Sequence, residues 1–270
     1  MALPYLYEHE NRHAPRRANG RRFHGYPTRQ QRTDLVVVHD TESMLDTVGL
    51  DTGALVVAGF QASTDRPSSY HRITDSARTV LMLPDEATAF GAKGANGRGL
   101  HVSLAMRVVD WRDTRAIARV RRDLAVERTA QVVAEWCKRY RIPVRRITRA
   151  QFLAGVAGIV AHADVDPGRR SDPGPLFPWD AFLTRVRELV DGSTAPPVLI
   201  TDPEVPTMRV VHRPDGLTVL LTDSGRFDAL EPGEADALRA AGIPVEGVTA
   251  AQFGKLEGIA RLLRTGKRTA

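Results

Sequence analysis

The chain has 270 residues, 42% of them hydrophobic, which suits one medium globular domain with a core and a smaller second unit. Its single cysteine, Cys137, excludes a disulfide framework within the chain, and no stretch approaches the roughly 18–20 apolar residues of a membrane span. Lys and Arg number 38 against 32 Asp and Glu, a net charge of +6. Such a surface favours polyanions, whether nucleic acid, anionic membrane or acidic wall polymers, without choosing among them.

Residues 1–33 are polar, rich in arginine and without clear periodicity, and they read as a basic arm extended over the domain. The opening MALPYLYEHENRHAPRR lacks the apolar core of a signal peptide, so synthesis without a leader is expected. The arm shows no aromatic interleaving with a nucleic-acid module, and no nucleic-acid partner is expected. Leu35-Val36-Val37-Val38 is a β-branched run, a buried strand that ends in His39. Residues 48–62 carry helical spacing. Ser69–Ile73 and Thr79–Leu83 read as a hairpin around Asp75-Ser76, and 91–99 as a glycine-rich loop. Leu100–Val109 reads as a strand. Residues 115–140 read as a long helix stopped by Ile142-Pro143, with Cys137 inside it as a buried thiol. A short helix is expected over 148–154, and an apolar strand over Ala157–Ala161 again runs into a histidine, His162. Trp179–Val190 is amphipathic, with Phe182, Leu183, Val186, Leu189 and Val190 on one side.

This alternation gives an α/β domain over 34–190, a mixed central β-sheet flanked by helices. DGSTAPPVLITDPEVP (191–206) has the composition of a linker. Beyond it, 207–270 reads as a small α+β C-terminal module. Met208–Val211 and Leu217–Leu221 form a two-stranded unit, and Glu231–Ala241 and Ala250–Leu263 are helices.

The stretch AHADVDPGRRSDPGP (161–175) allows two readings. Either the chain merely turns there, or His162 and Asp172 hold one metal ion with a third ligand from elsewhere. His39 is a natural third, because it also stands at the exit of an apolar strand, where sites in α/β folds form. Two histidines and one aspartate would leave a zinc ion with a single ligand charge and an open position for water. His13 and His24 in the arm and His212 in the second module read as surface residues, while His71 and His101 stay ambiguous.

VVVHDTES (36–43), SSYHRITDSARTVLMLPDEATAFGAKGAN (68–96), GLHVSLAM (99–106) and GIVAHADVDPGRRSDPGPLFPWDAF (158–182) together resemble the zinc-dependent N-acetylmuramoyl-L-alanine amidases, which share the peptidoglycan recognition protein fold. The last segment is the most specific: histidine, short polar loop, basic residue, small residue, Asp-Pro-Gly, then Phe-Pro-Trp before a helix. The resemblance implies Zn2+ held by His39, His162 and Asp172. It implies hydrolysis of the amide between N-acetylmuramic acid and L-alanine of bacterial peptidoglycan by zinc-activated water. It also implies that Tyr70 and Arg170 assist. Period-2 alternation would let only one of Tyr70 and His71 face the metal, and Tyr70 is the expected one; Asp40 would point away from His39.

Three positions depart from the family pattern. A strand glutamate common in relatives reads here as Ala105. Arg170 stands where lysine is frequent, so its contribution must be electrostatic. A Trp-His pair reads here as Phe90-Gly91. The second module vaguely resembles wall-binding modules of phage lysins. The expectation is therefore an endolysin of phage type, made in the host cytoplasm and acting on the wall after the membrane is opened, with no stable membrane association. A non-catalytic peptidoglycan-binding protein and a cytosolic amidase that recycles wall fragments are the alternatives.

Overall fold

The computed structural model describes residues 7–8, 25–26, 32–43, 53–63, 66–192, 208–212, 218–222, 227–230 and 245–247. Residues 193–206 of the expected linker and the helices expected at 231–241 and 250–263 lie outside them.

In chain order the elements are β1 (Tyr7–Glu8), β2 (Gly25–Tyr26), β3 (Leu35–Asp40), α1 (Ala54–Ser63), β4 (Arg72–Thr74), β5 (Thr79–Leu81), β6 (Thr88–Ala89), β7 (Gly99–Leu104), a 3-10 turn (Val108–Arg112), α2 (Ala116–Tyr140), α3 (Arg149–Leu153), β8 (Gly158–Ala161), α4 (His162–Val165) and α5 (Trp179–Val190). A six-stranded sheet has the order β1-β5-β4-β7-β3-β8. β4, β7, β3 and β8 run parallel, and β5 turns back antiparallel to β4. The sheet is mixed and flanked by helices, as the sequence implies. From the basic arm, β1 adds to the sheet edge beside β5, and β2 pairs with β6.

β-branched and leucine residues dominate the central strands, and both faces of the sheet are covered. Val36, Val38, Leu100, Val102, Leu104, Ile159 and Ala161 pack under α2 and α5 against Trp136, Phe182 and Val186. Fully burying each such Val or Leu side chain contributes about 1.5–3 kcal/mol. Leu35, Val37 and Val160 pack on the other face with Ile147, Phe152 and Val165. A buried ion pair ties the two long helices, with Arg185 Nε and Nη2 donating to Glu127 at 2.8 and 3.0 Å.

Helix boundaries have local causes. Asp75 Oδ2 accepts from the Ala54 backbone N–H (2.7 Å), which begins α1 there, while Asp75 Oδ1 accepts from Ala77 and Arg78 and shapes the β4–β5 turn. α2 ends where Arg141 takes a left-handed conformation (φ 55°), just ahead of Ile142-Pro143. Thr148 caps α3 in a reciprocal pair with Gln151.

The strand expected over Leu100–Val109 stops at Leu104. Asp110 is the reason: its carboxylate accepts from the Arg107 backbone N–H at 2.9 Å and from Arg107 Nη2 at 2.8 Å, closing the 3-10 turn. At the C-terminal side, β9 (Met208–His212) and β10 (Thr218–Thr222) form the expected antiparallel pair. β11 (Phe227–Ala229) and β12 (Val245–Gly247) extend it to a four-stranded sheet.

Candidate metal centre

β3 and β8 lie side by side with Val38 opposite Ala161, so the next residues, His39 and His162, leave the sheet together. His162 opens α4, and the loop that follows folds back on that helix. The Ala163 backbone N–H donates to the Asp172 carbonyl (2.9 Å), and Arg169 and Arg170 donate to the Asp166 carbonyl (3.1 and 3.0 Å). Asp172 is thereby returned to the two histidines. His39 Nδ1 and His162 Nδ1 are 2.9 Å apart, and Asp172 Oδ2 lies 3.1 Å from His162 Nδ1 and 3.4 Å from His39 Nδ1. Zinc bonds of about 2.0–2.2 Å at tetrahedral angles would separate ligand atoms by about 3.3 Å. The three atoms thus have the spacing of three corners of a zinc tetrahedron, and all three residues are buried.

The charge states suit a cation. Burial, reinforced by the nearby His162, pushes His39 down to about 4, so its imidazole is neutral at physiological pH. Burial works against the Asp172 carboxylate, but the two imidazoles facing it, His162 and His39, outweigh it and hold the carboxyl well below its usual range. A deprotonated donor set is what a metal ion needs.

Tyr70 sits directly against this cluster, its ring centroid 5.0 Å from that of His39. Burial first, and then the Asp172 charge, push its phenol up to about 12, although the neighbouring Ser103 hydroxyl works the other way. Near neutral pH Tyr70 is therefore a proton-bearing donor. Arg170 is an exposed residue on the loop, and its charge acts on both His39 and Tyr70. Asp40, on the opposite face of β3, accepts from Trp111 Nε1 (3.0 Å), and burial raises its carboxyl well above the usual range. Cys137 is buried, its thiol pushed up to about 12 by desolvation.

His71 does not alternate with Tyr70 as a strand residue would, because β4 begins only at Arg72. Its ring stacks on His101 (5.8 Å, 9°), while Tyr70 covers His39. His101 in turn places Nδ1 3.0 Å from His39 Nε2. Sequence reasoning left both histidines ambiguous. The parallel register of β3 and β7, with Val37 opposite His101 and His39 opposite Ser103, puts them beside the site.

The sequence profile of the N-acetylmuramoyl-L-alanine amidases matches residues 29–175. The chain belongs to this family. Within that span lie His39, Tyr70, His162, Arg170 and Asp172. The amidase AmiD of Escherichia coli (strain K12) is 47% identical over 38 residues, a stretch that covers 14% of either chain. Among solved structures, the Staphylococcus aureus hydrolase AmiA, in complex with its ligand, is similar at 16% identity, covering 61% of this chain and 78% of its own, with a TM-score of 0.46. A mutant endolysin from Bacillus subtilis is similar at 17% identity, covering 60% of this chain and 92% of its own, with a TM-score of 0.42.

Against the amidase pattern, two departures take physical form. Ala105 lies beyond the end of β7, packed with Ile73 and Met82; the β7 residue opposite His39 is Ser103, a buried hydroxyl close to Tyr70. Gly91 stands where the pattern has the histidine of a Trp-His pair. A Cβ at Gly91 would meet the His101 ring, 2.7 Å from its Cγ. Phe90-Gly91 and His101 therefore belong together, because the missing side chain is what makes room for this imidazole.

Proposed function

We propose that the chain is a zinc-dependent N-acetylmuramoyl-L-alanine amidase of peptidoglycan, acting as a wall-degrading endolysin of phage type. The observation that carries the reading is the convergence of His39 Nδ1, His162 Nδ1 and Asp172 Oδ2 within 4.8 Å of one another in a buried set. Bound there, zinc supplies a Lewis acid toward water and the amide carbonyl. His39 and His162 would hold it as neutral donors and Asp172 as the anionic one. Hydrolysis adds water to the carbonyl carbon and breaks the C–N bond to L-alanine, so negative charge develops on the carbonyl oxygen. Arg170, permanently charged, stabilises that charge from the loop. Tyr70 keeps its phenolic proton near neutral pH and donates a hydrogen bond to the reacting groups.

In this reading the C-terminal four-stranded sheet belongs to a wall-binding module, which would raise the local concentration of an insoluble substrate. The basic surface suits the anionic polymers of the wall, and neither nucleic acid nor membrane is a partner in this reading. Synthesis in the host cytoplasm, followed by action once the membrane is opened, is the matching setting.

Mass spectrometry of purified peptidoglycan sacculi after incubation with the full chain tests this. The expected result is new free L-alanine amino termini, abolished by a chelator and restored by zinc. Attack on soluble muropeptides but not on sacculi would replace the lysin reading with fragment recycling. Sacculi that bind the protein and stay uncut would replace the enzyme with a binding protein.

A further inference from the structure

Behind the metal cluster, the backbone fixes the tautomer of His71. The backbone N–H of His101 points at His71 Nδ1 (3.0 Å), and a backbone amide can only donate. His71 Nδ1 therefore carries no proton. His71 Nε2 lies 3.1 Å from the Ala87 carbonyl oxygen, which can only accept, so this nitrogen holds the proton. His71 is thus fixed as one neutral tautomer. It also donates its own backbone N–H to the His101 carbonyl at 2.9 Å, so β7 is gripped on both sides of His101.

The His101 ring is held as firmly as its backbone. It stacks on His71, and it lies over two glycines whose Cβ atoms it would touch: Gly91, with His101 Cγ at 2.7 Å, and Gly99, with His101 Nε2 at 3.2 Å. From that cradle His101 presents Nδ1 to His39 Nε2 at 3.0 Å, and His39 is completely buried. His39 can offer Nδ1 to a metal only as the tautomer that carries its proton on Nε2. That proton needs an acceptor inside the protein, and His101 Nδ1 is the atom that meets it.

We infer that His101 is a positioning residue for the metal centre: its Nδ1 accepts the His39 Nε2 proton and so holds His39 with Nδ1 free for the ion. The inference rests on the zinc reading of the cluster. His101 itself is then the tautomer with the proton on Nε2. Without an acceptor at 101, His39 favours the opposite tautomer, with Nδ1–H directed at Asp172 Oδ2, and that proton competes with zinc. Outer partners of ligating histidines typically change metal affinity by about 10–100-fold.

The test combines zinc affinity, measured by chelator competition, with nitrogen NMR of the imidazoles in the full chain. His101→Phe, which keeps a ring and removes the acceptor, is expected to weaken zinc binding about 10–100-fold. His101→Asn returns an acceptor oxygen near the Nδ1 position and is expected to recover most of that loss. In the zinc-loaded wild type, His39 should show a proton on Nε2, and His101 an unprotonated Nδ1 with a protonated Nε2. Folded His101→Phe with wild-type affinity would overturn the role of His101 while leaving the zinc site intact. So would a spectrum with the proton on His101 Nδ1, and that spectrum decides the matter if His101→Phe does not fold. A wild-type protein that takes up no zinc would overturn the metal reading and this inference together.

Discussion

Along β3, Val36 and Val38 face α2 and α5, whereas Val37 and His39 face the other way; along β7, Leu100, Val102 and Leu104 oppose His101 and Ser103. The same two strands therefore make a face that is apolar as far as Asp40 at the end of β3, and a face that turns polar around His39, His101 and Ser103. On the first, stability comes from close packing of residues that no ligand touches. On the second, three histidines, His39, His101 and His71, are buried with hydrogen bonds arranged among them, and Ser103 is buried beside them. Burying a polar group without a partner costs energy, so this face keeps its shape only while the partners stay matched. One face can be altered without changing the chemistry, and the other cannot.

The largest break in that contrast is Asp172→Ala. It removes the only anionic ligand of the cluster, and the expected outcome is loss of bound zinc by metal analysis together with loss of detectable amide cleavage. Leu104→Ala cuts the opposite face. Chemical denaturation should show a loss of about 2–5 kcal/mol, while the folded fraction keeps its zinc stoichiometry. Arg170→Ala tests the loop charge alone: kcat is expected to fall about 10²–10³-fold with zinc affinity unchanged, and Arg170→Lys should recover part of it.

The pH response separates the faces again. His39 titrates at about 4 in the folded protein against 6.5 in an unfolded chain, so below 6.5 the unfolded chain takes up the proton first. Stability of the metal-free protein should fall as pH drops from 6.5 to about 4, by on the order of 3 kcal/mol at roughly 1.4 kcal/mol per unit. His39→Phe should flatten that slope, as thermal denaturation across the window would reveal. The smallest effect belongs to Cys137. Its buried, raised thiol should react slowly with alkylating reagents, and activity should survive the treatment.

The outline of the candidate site was legible because its residues sit at positions with local signatures. His39 and His162 end β-branched runs, and Asp172 follows a Pro-Gly turn. Helix α5 was legible over Trp179–Val190 from its apolar spacing, although that spacing gave no sign of Arg185 buried on Glu127. His101 and Ser103 could not be read as part of the site. Their place depends on the register of β7 against β3, set between residues some sixty positions apart, and one step of slip would turn both into the other core. The strand end at Leu104 depends on one side chain, Asp110, closing a turn. β11 and β12 are three residues each, too short for a periodic signal.

X-ray diffraction at the zinc absorption edge, on crystals of the zinc-loaded chain, is the most direct measurement. The account predicts one anomalous peak about 2.0–2.2 Å from His39 Nδ1, His162 Nδ1 and Asp172 Oδ2. A zinc-loaded crystal with no peak between these three atoms, or with its peak on other residues, would contradict it.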